Sequence, residues 1–482
     1  VSVLICKKNS ILAWVCLILT SSYSWAASSN SVALSDAGDF NQPVTSNVQT
    51  QPEQPAKPES QPPYDPNQPL KVSDLFKVSF RASPQVLKSE VTIEKARAQQ
   101  QQLQAQDSFR LSLEGRYTWR EYQNKPQEDP RLVLHGVKKL YDFGRLDKLQ
   151  QASEIAQRAG EQLRWQQQAR YRLQLLKAYF DVLLVDMRYR VLNEKMAVVY
   201  VGLDKARDLH EDGEISDVDL AKKAHEYQQV LTQRAQAELA QRQKRLILAN
   251  LLGFPDAIPD QLQMPNLSIL QKTIKQLPEL DSVVQLGLQR SPELLALQKQ
   301  VAVQQAQVSA AKSQNHPEVV AEAWVGSLSG HPDRYEGHWR LDIGFKAPLY
   351  DAGLNSGQVA AARANLHQAV AQLQAKEQQL RDTLAELYFQ LKLSQTQLKQ
   401  NQAFGDYADL YLDYSRGLYE WEEKTDLGDA MVRLSEADYQ RLQTQLQMAL
   451  NWTNLIVQLG FEPSPEWVTP EIQQVLFQNR KK

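Results

Sequence analysis

The chain has 482 residues, enough for several ordinary domains at roughly 100–200 residues each, and its formal net charge is only −2. So balanced a chain has no basic field to hold nucleic acid, which shows as a basic stripe or patch. Glycine is sparse, at 19 residues, and glutamine crowds the periodic segments; this suits long helices with a wet, uncharged face better than a compact enzyme core.

Lys7 and Lys8 form a short basic region, Ile11 to Leu19 an apolar core, and Ser24-Trp25-Ala26 an A-x-A-like end. Residues 1–26 therefore read as a secretory signal that is removed on export. A membrane-spanning helix would need a longer apolar run, of roughly 20 residues. Both cysteines, Cys6 and Cys16, fall inside this segment, and Ala13-Trp14-Val15 lacks the small residues expected before a lipid-anchored cysteine. Cleavage would leave no thiol, which excludes disulfides, zinc thiolates and cysteine nucleophiles together. Residues 27–69 are rich in Pro, Gln, Ser and Asn and are expected to form a disordered or loosely draped leader, since they cannot bury enough apolar surface to offset ordering.

The rest is an internal repeat. Ser83-Pro84 answers Ser291-Pro292, Tyr141-Asp142 answers Tyr350-Asp351, Tyr179-Phe180 answers Tyr388-Phe389, and Leu252-Gly253-Phe254 answers Leu459-Gly460-Phe461. The offsets of 208, 209, 209 and 207 hold one register across the whole unit, which chance likeness between helices would not do. The layout divides the chain into a first repeat over 70–255, a linker and equatorial region over 256–282, a second repeat over 283–463 and a tail over 464–482. The first repeat holds a helix, a β-hairpin at 108–142 and a helical hairpin at 145–252. The second holds a helix, a β-hairpin at 316–351 and a helical hairpin at 354–460.

From Arg145 to about Leu209 apolar residues recur at steps of three and four, among them Leu146, Leu149, Leu176, Phe180 and Leu183, with no proline. At about 1.5 Å per residue such a helix approaches 100 Å. Its partner spans about Ser216 to Leu252, and the second repeat has Leu354 to Tyr419 with Thr425 to Leu459. Periodic helices of this length point to coiled-coil packing.

The strands differ in kind. In SFRLSLEGRYTWRE (108–121), Phe109, Leu111, Leu113, Tyr117 and Trp119 alternate with Arg110, Ser112, Glu114, Arg116 and Arg120. HWRLDIGFKAPLY (338–350) alternates likewise, and two less regular strands lie near Arg131–Tyr141 and Glu318–Ser327. The polar stretches QNKPQEDP (123–130) and GHPDRYEG (330–337) read as loops. Alternation alone describes any half-buried sheet. Strands of about ten residues, aromatic residues near their ends and an export signal together match membrane-barrel strands, apolar toward lipid and polar toward water. Four strands cannot close a barrel, for which about eight are needed. Open edges cannot sit in lipid, so membrane strands here require several chains to share one barrel.

These residues resemble the outer-membrane efflux protein family, the TolC-type channels of Gram-negative bacteria, from about residue 70 to residue 463. Pro348-Leu349-Tyr350-Asp351-Ala352-Gly353 matches the family's strand-exit motif; Lys139-Leu140-Tyr141-Asp142-Phe143-Gly144 lacks the proline and keeps the rest. Ser291-Pro292-Glu293-Leu294 and the Leu-Gly endings also fit. The resemblance implies a mainly α homotrimer: long antiparallel coiled-coil hairpins forming a trimeric α-barrel in the periplasm, below a shared twelve-stranded β-barrel in outer-membrane lipid. It implies no enzyme and no cofactor, but an exit duct joined by a periplasmic adaptor, or membrane fusion protein, to an inner-membrane transporter, as in tripartite efflux or type I secretion.

The same resemblance places the strand-to-helix joints at Tyr141, Asp142, Gly144, Tyr350, Asp351 and Gly353. The periplasmic tip falls at the turns 210–223 and 419–433, with Asp212, Gly213, Glu214, Glu422, Glu423 and Lys424 as adaptor contacts. Asp217 starts a returning helix, where the dipole and capping favour a carboxylate. Asp426 and Asp429, three residues apart and so on about the same helix face, are the expected pore constriction, with Asp219 as an addition. In a threefold assembly six such carboxylates would crowd one axis, attract cations and repel one another. The second turn has Glu422-Glu423-Lys424 where the family has glycine, a departure that bears on the choice of adaptor.

The seven histidines show no HExxH and no ligand spacing, and there is no Walker-type loop or nucleophile elbow; no metal site is expected. A periplasmic coiled-coil scaffold or adaptor without its own pore is the alternative function, and membrane location with conductance separates the two.

Overall fold

A computed structural model describes residues 68–80, 83–122, 125–257, 259–327, 337–420 and 427–477. The short helix α1 (Val72–Leu75) leads into α2 (Pro84–Asp107), the strands β1 (Arg110–Tyr122) and β2 (Lys125–Tyr141), and the long pair α3 (Arg145–Glu211) and α4 (Asp217–Leu252). After α5 (Ser268–Ile274) the order recurs: α6 (Leu280–Arg290), α7 (Pro292–Ser313), β3 (Glu318–Gly326), β4 (Trp339–Lys346), α8 (Leu354–Glu420) and α9 (Leu427–Gln458), closed by α10 (Pro470–Phe477). The mainly helical chain with one small antiparallel sheet is the fold class expected from the repeat.

Local chemistry sets the boundaries. Pro84 and Pro292 open α2 and α7, at the helix position where a missing N–H costs nothing. Each Leu-Gly-Phe closes a helical hairpin in the same way. Gly253 (φ 85°) and Gly460 (φ 81°) are left-handed, and the N–H groups of Phe254 and Phe461 reach back to the carbonyls of Ala249 and Ile456 at 3.1 and 2.9 Å. That is a Schellman end, which satisfies carbonyls the helix leaves open.

Helix α3 packs against α4, α2, α7 and α9, while α8 packs against α9, α7 and α6. The two helical hairpins thus adjoin through α3 and α9, leaving α4 and α8 on the outer flanks. The apolar core lies midway along α3 and α8 and at the C-terminal ends of α4 and α9. Tyr179 and Phe180 of α3, Leu384 and Leu391 of α8, Trp452 of α9, and Leu270 and Ile472 are all fully buried there. The indole N–H of Trp452 donates to the Trp467 carbonyl at 2.8 Å, so its polar atom is satisfied inside the core. Burial pushes the Tyr171 phenol up to about 12, and its hydroxyl donates to the Leu251 carbonyl.

Three segments hold more regular structure than the repeat layout assigns them. The 464–482 segment, read as a tail, carries α10, whose Ile472 and Leu476 are buried in this core; the region 256–282 likewise carries α5, with Leu270 and Ile274 buried. Residues 125–130, read as part of a polar loop, belong to β2 and include Pro126 and Pro130. β3 ends at Gly326 opposite Val133, so the start of β2 is an edge, where proline is tolerated.

The sheet runs β1-β2-β3-β4, antiparallel throughout, with β1 and β4 as edges. Among the described residues no helix is long and apolar enough to cross a membrane.

Candidate functional site

Three places gather the residues singled out above: the joints, the tip turns and the two faces of the sheet. At the first joint the Asp142 carboxylate accepts from the N–H groups of Arg145 (3.1 Å) and Leu146 (3.0 Å), capping α3. Phe143 (φ 56°) and Gly144 (φ 73°) make the left-handed turn between strand and helix. Asp351 repeats the device, accepting from Gly353 N–H (3.0 Å) and Asn355 N–H (2.8 Å), with Ala352 (φ 50°) and Gly353 (φ 90°) turning the chain. The N–H groups of Asn355 and Gly353 hold the Asp351 carboxyl below the usual carboxylate range. Tyr141 and Tyr350 stand exposed beside these turns.

At the first tip, α3 ends in another Schellman turn: Gly213 (φ 74°) is left-handed, and Glu214 N–H reaches the Leu209 carbonyl at 2.8 Å. Asp212 is the C-cap. Asp217 is the first residue of α4, but the cap itself is Ser216. The Ser216 hydroxyl accepts from Asp219 N–H (3.2 Å) and donates to the Asp219 carboxylate (2.7 Å). The Ser216 hydroxyl and backbone N–H hold the Asp219 carboxyl below its ordinary value. Asp217 instead reaches across the turn to His210 Nε2 at 2.7 Å, a contact that spacing in the sequence does not display.

At the second tip, Asp426, Glu422, Glu423 and Lys424 lie outside the described residues. Asp429, in the first turn of α9, takes a 2.8 Å ion pair from Arg433 Nε, and that guanidinium lies 5.2 Å from the Tyr411 ring centre on α8. A run of contacts joins this hairpin to α3: Arg188 with Glu436 at 2.9 Å, Glu194 with the Ser435 hydroxyl, and Val198 against Gly428. Sequence reading missed Arg433 and these partners, because helical spacing shows which residues share a face and not which helix meets it.

Pairing registers settle the sheet's faces. Leu113↔Leu134 and Ala323↔Leu341 share one face with Trp119, Ile343 and Phe345, an exposed apolar surface. Ser112↔His135, His135↔Trp324 and Trp324↔Arg340 form a row on the other. There the Trp324 ring stacks on His135 at 4.8 Å and 5°, Arg340 lies over it at 4.8 Å, and His135 Nδ1 is 3.1 Å from Glu114 Oε1. Among the described residues no group of His, Cys, Asp and Glu has the geometry to hold a metal ion.

Residues 283–460 match the family model described as Outer membrane efflux protein. No curated protein matches the sequence. Among solved structures, the chain is similar to the outer membrane protein VceC from Vibrio cholerae, with TM-score 0.63 and 17% identity over 81% of this chain and 96% of that one. It is similar to the CmeC outer membrane channel of Campylobacter jejuni, with TM-score 0.64 and 15% identity over 85% and 90% of the two chains. It is also similar to the MtrE outer membrane channel of Neisseria gonorrhoeae, with TM-score 0.63 and 17% identity over 83% and 91%. Likeness at such identities speaks for the fold. The second repeat thus matches the outer membrane efflux protein model, and the chain as a whole has the fold of these outer membrane channels.

Proposed function

We propose that three copies of this chain form an outer-membrane channel, the exit duct of a tripartite efflux pump or type I secretion system. The observation that carries this reading is the sheet: four strands, two open edges and one exposed apolar face. In water that face would be a liability, and in lipid the open edges would leave backbone groups unpaired. Pairing β4 of one copy with β1 of the next removes both problems, and three copies supply twelve strands. The apolar face then meets lipid and the row of Glu114, His135, Trp324 and Arg340 lines the pore.

The α3–α4 and α8–α9 hairpins continue the wall into the periplasm, where the flanks of α4 and α8 meet neighbouring copies. Nothing in the duct consumes energy; an inner-membrane transporter supplies it through a periplasmic adaptor seated on the tip turns around Asp212, Gly213 and Glu214. Asp429 with Asp426, and Asp219 beside them, form the constriction. The contacts between α3 and α9 hold the tip closed.

Purified protein in planar bilayers tests the reading. Discrete conductance steps support it. A protein that stays soluble without detergent and forms no channel would instead be a periplasmic scaffold or adaptor.

A further inference from the structure

The polar face of the sheet carries an arrangement that a passive duct does not require. A cavity of 540 Å³ opens there, lined by Glu114, Arg116, Arg131, Val133, Trp324 and Arg340 together with Leu113 and Gly115. Arg116 and Arg131 are directly opposite in the strand register, an arrangement in which like charges destabilise a sheet. Asp129 draws the Arg131 guanidinium away, at 2.7 and 2.9 Å. Arg116 has no carboxylate partner among the described residues. Arg340 is paired with Asp342 and lies over the Trp324 ring at 4.8 Å, contacts that orient its guanidinium beside the cavity. Glu114, the one carboxylate among these lining residues, is engaged by His135. Val133 and Trp324 supply an apolar floor between the guanidiniums.

We infer that this cavity binds small amphipathic organic anions, the acid group on Arg116 and Arg340 and the apolar body over Val133 and Trp324. Guanidinium suits a carboxylate or sulfonate because its planar fork offers parallel donors. The apolar floor adds affinity that a bare inorganic anion cannot use. The inference rests on the reading above in one respect: only if this face lines the pore does the ligand also obstruct current.

The probe is naphthalene-2-sulfonate, with methanesulfonate as the acid without the body and 2-naphthol as the body without the acid. Calorimetry on detergent-purified full-length protein is expected to show saturable binding of the probe. Both controls are expected to bind at least about tenfold more weakly, and Arg116→Gln and Arg340→Gln each to weaken the probe about five- to tenfold, with partial recovery in Arg116→Lys. Circular dichroism of each variant checks that its fold is kept; Arg116 is exposed, so its replacement leaves packing untouched. No saturable binding to the natural chain, undiminished affinity in both arginine variants, or methanesulfonate binding as tightly as the probe would each overturn the inference. Protein that binds the probe but conducts no current would refute the channel reading and leave this site standing. A conducting channel that neither binds the probe nor is blocked by it would do the reverse.

Discussion

Gly428 lies so close to Val198 that a β-carbon on it would meet Val198 Cγ2 at 2.9 Å. Real β-carbons essentially never sit at that distance, so with any other residue at 428 the Val198 side chain or α9 itself must shift. The tip contact between the hairpins therefore depends on a missing methyl group. Gly428→Ala is expected to raise the resting conductance of the channel in planar bilayers, and Val198→Ala added to it to restore the original level. An unchanged resting conductance in Gly428→Ala would show that this contact does not hold the tip.

Asp429 is paired with Arg433 on its own helix, and such an exposed i,i+4 pair is worth only about 0.3–0.5 kcal/mol. Asp429→Ala should barely move the melting temperature. With Asp426→Ala it should widen the closed channel and weaken block by multivalent cations, because the carboxylates of the proposed constriction are gone. Arg433→Gln should act oppositely and strengthen cation block by freeing Asp429. Conductance and cation titrations in bilayers check all three, and identical block in every variant would remove these residues from the constriction.

Acid should loosen the second joint. The folded Asp351 carboxyl sits below its unfolded value of about 3.9 because two backbone N–H groups stabilise the anion. Its contribution is therefore fully present above that value and is lost as the pH falls through the lower, folded one. Asp351→Ala should destabilise the protein at neutral pH and flatten the fall in stability below about pH 4. Denaturation followed at several pH values between 6 and 2 measures both effects.

Trp452 is the largest fully buried side chain among the described residues and bonds the carbonyl of Trp467. Trp452→Ala is expected to cost about 3–5 kcal/mol. Trp452→Phe keeps most of the apolar burial but leaves that carbonyl without its donor, at about 1–3 kcal/mol. Chemical denaturation of both variants, read by circular dichroism, checks the order.

Residues whose role is local were legible in the sequence. Asp142 and Asp351 cap helices within four residues of themselves, and the Leu-Gly-Phe endings need only their own last turn, so each motif carried its geometry with it. The alternation of Leu111, Leu113 and Trp119 likewise announced a face. What packing decides was not legible. Tyr179-Phe180 and Tyr388-Phe389 are the same phrase in two repeats, yet Phe180 is fully buried near Trp467, 6.1 Å between ring centres, while Phe389 stands 60% exposed. Nothing in either phrase distinguishes them; the covering segment does. Trp324 shows the same limit: it is an aromatic residue near a strand end, and only the pairing register puts it on the polar face beside His135 and Arg340.

The central claim is that the open edges of this sheet close against other copies of the chain. Electron microscopy of the detergent-purified protein, averaged without imposed symmetry, tests it most directly. The account predicts particles with threefold symmetry, a barrel of twelve strands in the detergent belt and a helical tube of about 100 Å below it. Single chains, or rings of any number other than three, would contradict it.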